Sequence, residues 1–310
     1  MFKRAAAALL ATAALVPAFG APANTFDRDM NTMWEVLWHQ SGTATRLVRW
    51  EKDLQVRVIG PNAPAHREHS LEAIRAVAAE AGVKVNDVTD RADAAEVANV
   101  TFEVVPNDKL SPMQPCQTGL NFFTEKAIES ALVQMRDSDA QRCAFHEAMH
   151  VMGVRGHPEG ETVLSYFTAH SHSLLPLDKA MLRAWYSPKA KGGMTPFEML
   201  PILADQLVSV SKNKAAASVQ RDRFLARTVQ EMEAFADGRG DVPAILKRSG
   251  KVTDSGIKFG RVEMSYFLGV AYQEGACVQR SEAQATRWLQ VAGNMGSRSA
   301  QARLAGASGS

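Results

Sequence analysis

Two histidines four residues apart, with a glutamate directly after the first, stand at His146-Glu147-Ala148-Met149-His150 in a chain of 310 residues. Residues i and i+4 share one face of a helix, so both imidazoles can reach one ion while Glu147 points beside it at a bound water. That set predicts a hydrolytic zinc half-site in which Glu147 is the general base. Accident is a poor rival: at this chain's length and composition the pattern arises by chance about 0.01 times.

A catalytic zinc of this kind takes a third protein ligand and keeps one position open. After His150 the chain reads Val151-Met152-Gly153-Val154-Arg155-Gly156-His157. Gly153 lets the helix stop and the backbone reverse, which returns His157 toward the ion. His170 and His172 form a second source for the third ligand. Glu159 and Glu161 read as solvated loop charges, His39 as a packed or surface residue, and His66 and His69 as surface or capping residues near the start of a helix.

With its glycine three residues past the second histidine, the run resembles the metzincin metalloproteases, whose pattern is His-Glu-x-x-His-x-x-Gly-x-x-His. Here the third histidine comes one residue late, and Gly156 absorbs the extra residue. Thr162-Val163-Leu164-Ser165-Tyr166 looks like the family's tight turn beneath the metal, with Leu164 in place of its methionine, a nearly volume-conserving exchange. On this likeness Tyr166 is a secondary catalytic candidate approaching the metal or the oxyanion, or else a buried phenol bonded to a backbone carbonyl. The stretch from Leu174 to Pro188 is similar to the last helix of the metzincin core: Asp178 opens it, and Leu177, Met181, Leu182 and Trp185 form its buried face. With the ending Lys191-Gly192-Gly193-Met194, the region from Trp50 to Met194 is also similar to a bacterial family of uncharacterised secreted domains. Many members of that family replace the histidines, which this chain keeps.

The resemblance implies an α+β, metzincin-like catalytic domain over 24–194, built from a small twisted sheet, a zinc helix and a C-terminal helix. It implies Zn2+ held by His146, His150 and His157, and a peptide or protein substrate laid along the edge strand of the sheet. The residues that must position such a site carry matching patterns. Leu54–Ile59 and Asn99–Val105 alternate at strand period, Ala131–Met135 is a weaker third strand, and Ser70–Glu80 has helical spacing and ends before Gly82. The expected order is strand, helix, strand, strand, zinc helix.

Beyond Met194 the pattern is helical throughout, giving an all-α tail over 195–310 with helices at Pro196–Val210 and Ala215–Ala236. Residues 260–305 resemble one Sel-like repeat, related to tetratricopeptide helix pairs, through Leu268-Gly269, Tyr272, Gly275, Trp288 and Gly296. A single such unit cannot bury both faces, so it either caps the catalytic domain or receives a protein partner.

Met1-Phe2-Lys3-Arg4, an apolar run from Ala5 to Val16 and the small-residue ending Ala21-Pro22-Ala23 have the three parts of a secretory signal over 1–23. The expected location is periplasmic or extracellular, with no transmembrane anchor. Removing Lys3 and Arg4 from 35 basic residues leaves 33 against 33 acidic ones, which argues against a nucleic-acid partner. In an oxidising compartment Cys116 and Cys143 are the favoured disulfide, tying a Pro-rich turn to the start of the zinc helix; the alternative is that Cys143 is a buried apolar residue. Cys277 is then left packed and unpaired. The functional expectation is a zinc-dependent endopeptidase. The alternative is a non-catalytic envelope zinc-binding protein whose helical repeat recruits a partner.

Overall fold

The computed structural model describes residues 25–38, 46–122, 124, 126–166, 172–248 and 253–307. The expected signal segment at 1–23, His39 and His170 lie outside the described residues. In chain order the first half is α1 (Thr25–Glu35), β1 (Leu54–Ile59), α2 (Ala63–Ala81), β2 (Val85–Asp87), α3 (Ala94–Val97), β3 (Val100–Val105), β4 (Cys116–Asn121), β5 (Ser130–Arg136), α4 (Ala140–Val151) and α5 (Pro176–Trp185).

Alternation decides the sheet. Leu54, Val56 and Val58 of β1 and Val100, Phe102 and Val104 of β3 are buried, as are Ala131, Val133 and Met135 of β5, while the residues between them are partly open or, at Leu132, exposed. These strands join in the order β2-β1-β3-β5-β4, in which the first four are parallel and β4 runs antiparallel on β5 as an edge strand. All three strands expected from the sequence are present; β2 and β4 are additions. The protein is thus mixed α+β.

The first long helix begins earlier than its apolar spacing suggests. Pro64 pre-sets φ in the first turn, so α2 starts at Ala63 and ends where Gly82 takes the left-handed conformation at φ 69°. His66 and His69 therefore sit on the body of α2 rather than at its cap. His66 Nε2 contacts Asp137 Oδ1 at 2.7 Å, and His69 Nε2 contacts the Gln141 carbonyl at 2.9 Å, next to the start of α4.

The second half is α6 (Pro196–Val210), α7 (Lys214–Ala236), α8 (Ala244–Arg248), α9 (Asp254–Glu274), α10 (Glu282–Asn294) and α11 (Arg298–Ala307), with no strand among the described residues. Thr195 and Glu198 open α6 as a reciprocal capping box. In the α9–α10 pair, a Cβ on Gly269 would lie 2.7 Å from Leu289 Cγ, so the helices approach closely at a residue without a side chain. The buried core does not break near Met194. Trp34 packs edge-on against Phe197 with ring centroids 5.7 Å apart and donates to the Pro196 carbonyl at 2.9 Å. Arg46 reaches across to the Tyr266 hydroxyl at 3.3 Å. Among the described residues no helix is long and apolar enough to cross a membrane.

Candidate metal centre

From Cys143 to Val151 every residue of α4 is buried, which makes this a core helix with its polar side chains turned into a shielded space. A buried helix end must find partners for its last carbonyls. Trp50 Nε1 donates to the Val151 carbonyl at 2.7 Å, and the Tyr186 hydroxyl donates to the Met152 carbonyl at 3.0 Å. The chain then reverses at Gly153, which has φ +90° and no room for a Cβ: one would lie 2.2 Å from the Val48 oxygen. The extra residue before the third histidine is accommodated at Gly156, where a Cβ would come within 2.5 Å of Val36 Cα. Backbone pressed on backbone fixes the bend that carries His157.

That bend brings three imidazoles together. The Nε2 atoms of His146, His150 and His157 are separated by 3.1 Å (146–150), 3.2 Å (146–157) and 3.0 Å (150–157). His146 and His150 are buried and His157 is half-buried. Nδ1 of His146 faces the Val163 carbonyl at 2.9 Å, and Nδ1 of His150 faces the Val154 carbonyl at 2.7 Å. A carbonyl only accepts, so each Nδ1 carries the proton and each Nε2 presents a lone pair. Two lone pairs at 3.1 Å repel unless a cation lies between them. A tetrahedral ion bonded to imidazole nitrogen at about 2.0–2.1 Å has ligand edges of about 3.3 Å, close to the observed triangle. The three histidines are therefore near enough to bind a metal ion, with two already oriented by the carbonyls that such ligands use.

Burial holds all three imidazoles in the neutral, metal-binding form. It lowers the pKa of His146 and takes His157 down to about 4, with His146 contributing to the latter. His150 is driven well below its ordinary value by burial and by the neighbouring His146, His157 and Arg155.

The Val163 carbonyl is itself held in place. The Ser165 amide donates to the Thr162 carbonyl at 3.1 Å and closes a turn whose residues from Thr162 to Ser165 are all buried. Fully buried Asp178 binds that turn to α5: it accepts from the Thr162 hydroxyl, from the Val163 amide at 3.2 Å and from the Leu175 amide at 2.8 Å. Asp178 does more than favour a helix N-terminus. Burial raises its pKa, and these donors offset part of the rise.

Glu147 is buried beside the cluster. Burial pushes its pKa up to about 7 against the opposing effect of the Thr118 hydroxyl, which donates to Oε2 at 2.5 Å. The sequence reading missed Thr118, although a signal for it existed. Cys116 and Cys143 are joined in a disulfide between β4 and α4. Two residues along a strand advance about 6.7 Å and four along a helix about 6 Å, so pairing 116 with 143 puts 118 opposite 147.

Tyr166 is not the buried phenol that was one alternative: it is 63% exposed, with its ring stacked on His157 at a centroid distance of 4.6 Å. His172 lies 5.8 Å from the His69 ring by centroids and outside the cluster. Glu159 and Glu161 are exposed and also outside it. A cleft of 780 Å³ opens over Glu147 and the three histidines, walled by Thr118, Leu120 and Phe122 of the edge-strand segment and by the Pro112–Pro115 turn with exposed Met113. No family model matches the chain, and no curated protein or solved structure matches it.

Proposed function

We propose that this protein is an exported zinc-dependent endopeptidase of the metzincin type. The observation that carries the reading is the triangle of imidazole Nε2 atoms, two with their lone pairs directed inward by carbonyl partners, beside a buried carboxylate at the base of an open cleft. Three neutral imidazoles are a catalytic zinc set, and zinc held by His146, His150 and His157 supplies Lewis acidity toward a scissile carbonyl and acidifies water.

Glu147 does the proton work. Thr118 anchors Oε2, and the other carboxylate oxygen takes the proton from the attacking water and passes it to the departing nitrogen. Tyr166, at the mouth of the cleft against His157, serves as a secondary donor toward the developing oxyanion. Because β4 is an edge strand, alternate amides and carbonyls face away from β5 and are available to pair with an extended peptide. The disulfide suits folding in an oxidising compartment, in line with the leader-like residues 1–23. The α9–α10 pair, similar to a Sel-like repeat, caps the catalytic half or presents a surface to a protein partner.

The test is Glu147→Gln in zinc-loaded protein against casein or a peptide library. The expected variant keeps its zinc and loses about a thousandfold in cleavage. Undiminished cleavage would remove Glu147 from the mechanism.

A further inference from the structure

Hydrophobic exposure is concentrated at the cleft. Among the described residues the two most exposed large hydrophobic side chains are Met113, 93% exposed, and Tyr166, and both line the space over Glu147. Apolar groups scattered singly over a surface carry no message, but Met113 shares its wall with Pro112, Pro115 and the half-buried Cys116 of the bridge to α4.

The backbone that presents Met113 is held in place. Ser111-Pro112-Met113-Gln114 is a turn with proline at its second position, closed by the Gln114 amide donating to the Ser111 carbonyl at 3.0 Å. The Met113 amide donates to the Ser111 hydroxyl at 3.2 Å. Just beyond, the Pro115 carbonyl accepts from the Arg136 amide at 2.8 Å, and the disulfide ties Cys116 to α4. Two prolines and these bonds order the turn before anything binds, so little backbone freedom is lost on contact. The unbranched thioether above it adapts to apolar groups of different shape. Arg142, on the same wall, directs its Nε and a terminal nitrogen to Asp139 at 2.7 and 2.6 Å.

Resting on the peptidase reading, we infer that Met113 is a specificity-determining residue that selects substrates with a large apolar side chain close to the scissile bond. Cys116 lies two residues along β4 from Thr118, the partner of Glu147. A peptide extended on this edge sends alternate side chains to the cleft face, and the one over the bridge falls about 6.7 Å from the one over Thr118. There it leaves water against Met113 and Pro115.

The experiment is cleavage profiling of a proteome-derived peptide library by the zinc-loaded full chain, with products read by mass spectrometry, for wild type, M113L, M113S and M113E. Wild type should enrich Leu, Ile, Phe and Met about tenfold at one position near the cut, the ratio expected when about 55 Å² of apolar surface leaves water. M113L should keep the enrichment, M113S should lose most of it, and M113E should exchange it for Lys and Arg. Binding gives a second readout: to zinc-loaded chain carrying Glu147→Gln, a labelled peptide with Leu at that position should bind about tenfold more tightly than its Ser counterpart, and adding M113S should remove the difference. A wild type that cuts with no apolar preference or with an acidic one, an M113S that keeps the apolar preference, or an M113S that slows every peptide alike overturns the role of Met113 and leaves the peptidase reading standing. A zinc-loaded wild type that cuts nothing overturns both.

Discussion

Replacing Asp178 by alanine should disturb the metal centre without touching a ligand. The substitution removes the acceptor of three donors, the buried Thr162 hydroxyl and Val163 amide and the half-buried Leu175 amide. A hydrogen bond to a carboxylate contributes about 1.5–3 kcal/mol, and some of that sum is returned because the variant no longer buries the carboxyl group. The net loss of folding stability should be about 3–4 kcal/mol. A second effect runs through the turn. The Val163 carbonyl orients the His146 ring, and releasing such a partner lowers metal affinity about 10- to 100-fold. Urea unfolding in the presence of a chelator measures the first effect, and zinc competition with a chromophoric chelator on the folded variant measures the second. Asp178→Asn keeps one acceptor oxygen and should fall between wild type and alanine in both assays. A stability change under about 1 kcal/mol together with unaltered zinc affinity would refute the claim that Asp178 holds the turn beneath His146.

Three further outcomes follow from individual contacts. Thr118→Val preserves shape but removes the hydroxyl that anchors Glu147, so kcat on any cleaved peptide should fall about 10- to 100-fold with KM little changed; an equal loss confined to KM would place Thr118 in binding instead. Opening the Cys116–Cys143 bridge by Cys116→Ala with Cys143→Ala should cost about 3 kcal/mol in chemical denaturation, since the bond closes a separation of 27 residues, and an unchanged midpoint would show that β4 holds to α4 without it. Burial raises the Cys277 thiol to about 12, and only the thiolate is nucleophilic. Alkylation in the native protein at pH 8 should thus run about a thousandfold slower than for an ordinary cysteine and rise about tenfold for each pH unit up to 10; labelling at the rate of a free thiol would contradict its placement.

Much of the centre was legible because helical geometry is local. The spacing of His146 and His150 sets a shared face, Gly153 marks the stop, and apolar spacing in α5 identifies its buried side. Strands β1, β3 and β5 were visible because each alternates against a core. The edge strand β4 was not. Its sequence Cys-Gln-Thr-Gly-Leu-Asn has no β-branched alternation and one face open to solvent, so its strand character comes from pairing with β5 and from the bridge to α4. Thr118 was hidden for the same reason. Asp178 showed itself as a helix-start residue, but its three donors lie up to 16 positions upstream and meet it only through tertiary folding. The expected division near Met194 followed a change of periodicity, whereas Trp34, Phe197 and Tyr266 show the core passing across that point.

The account stands most directly on stoichiometric reconstitution of the full chain. Protein stripped with a chelator is titrated with zinc while bound metal and peptide cleavage are measured on the same samples. Cleavage should rise in proportion to bound zinc and level off at one ion per chain, with neither binding nor cleavage in His146→Ala. A chain that takes up no zinc tightly, or that fills one site and cleaves nothing, would contradict the assignment of His146, His150, His157 and Glu147 to a hydrolytic centre.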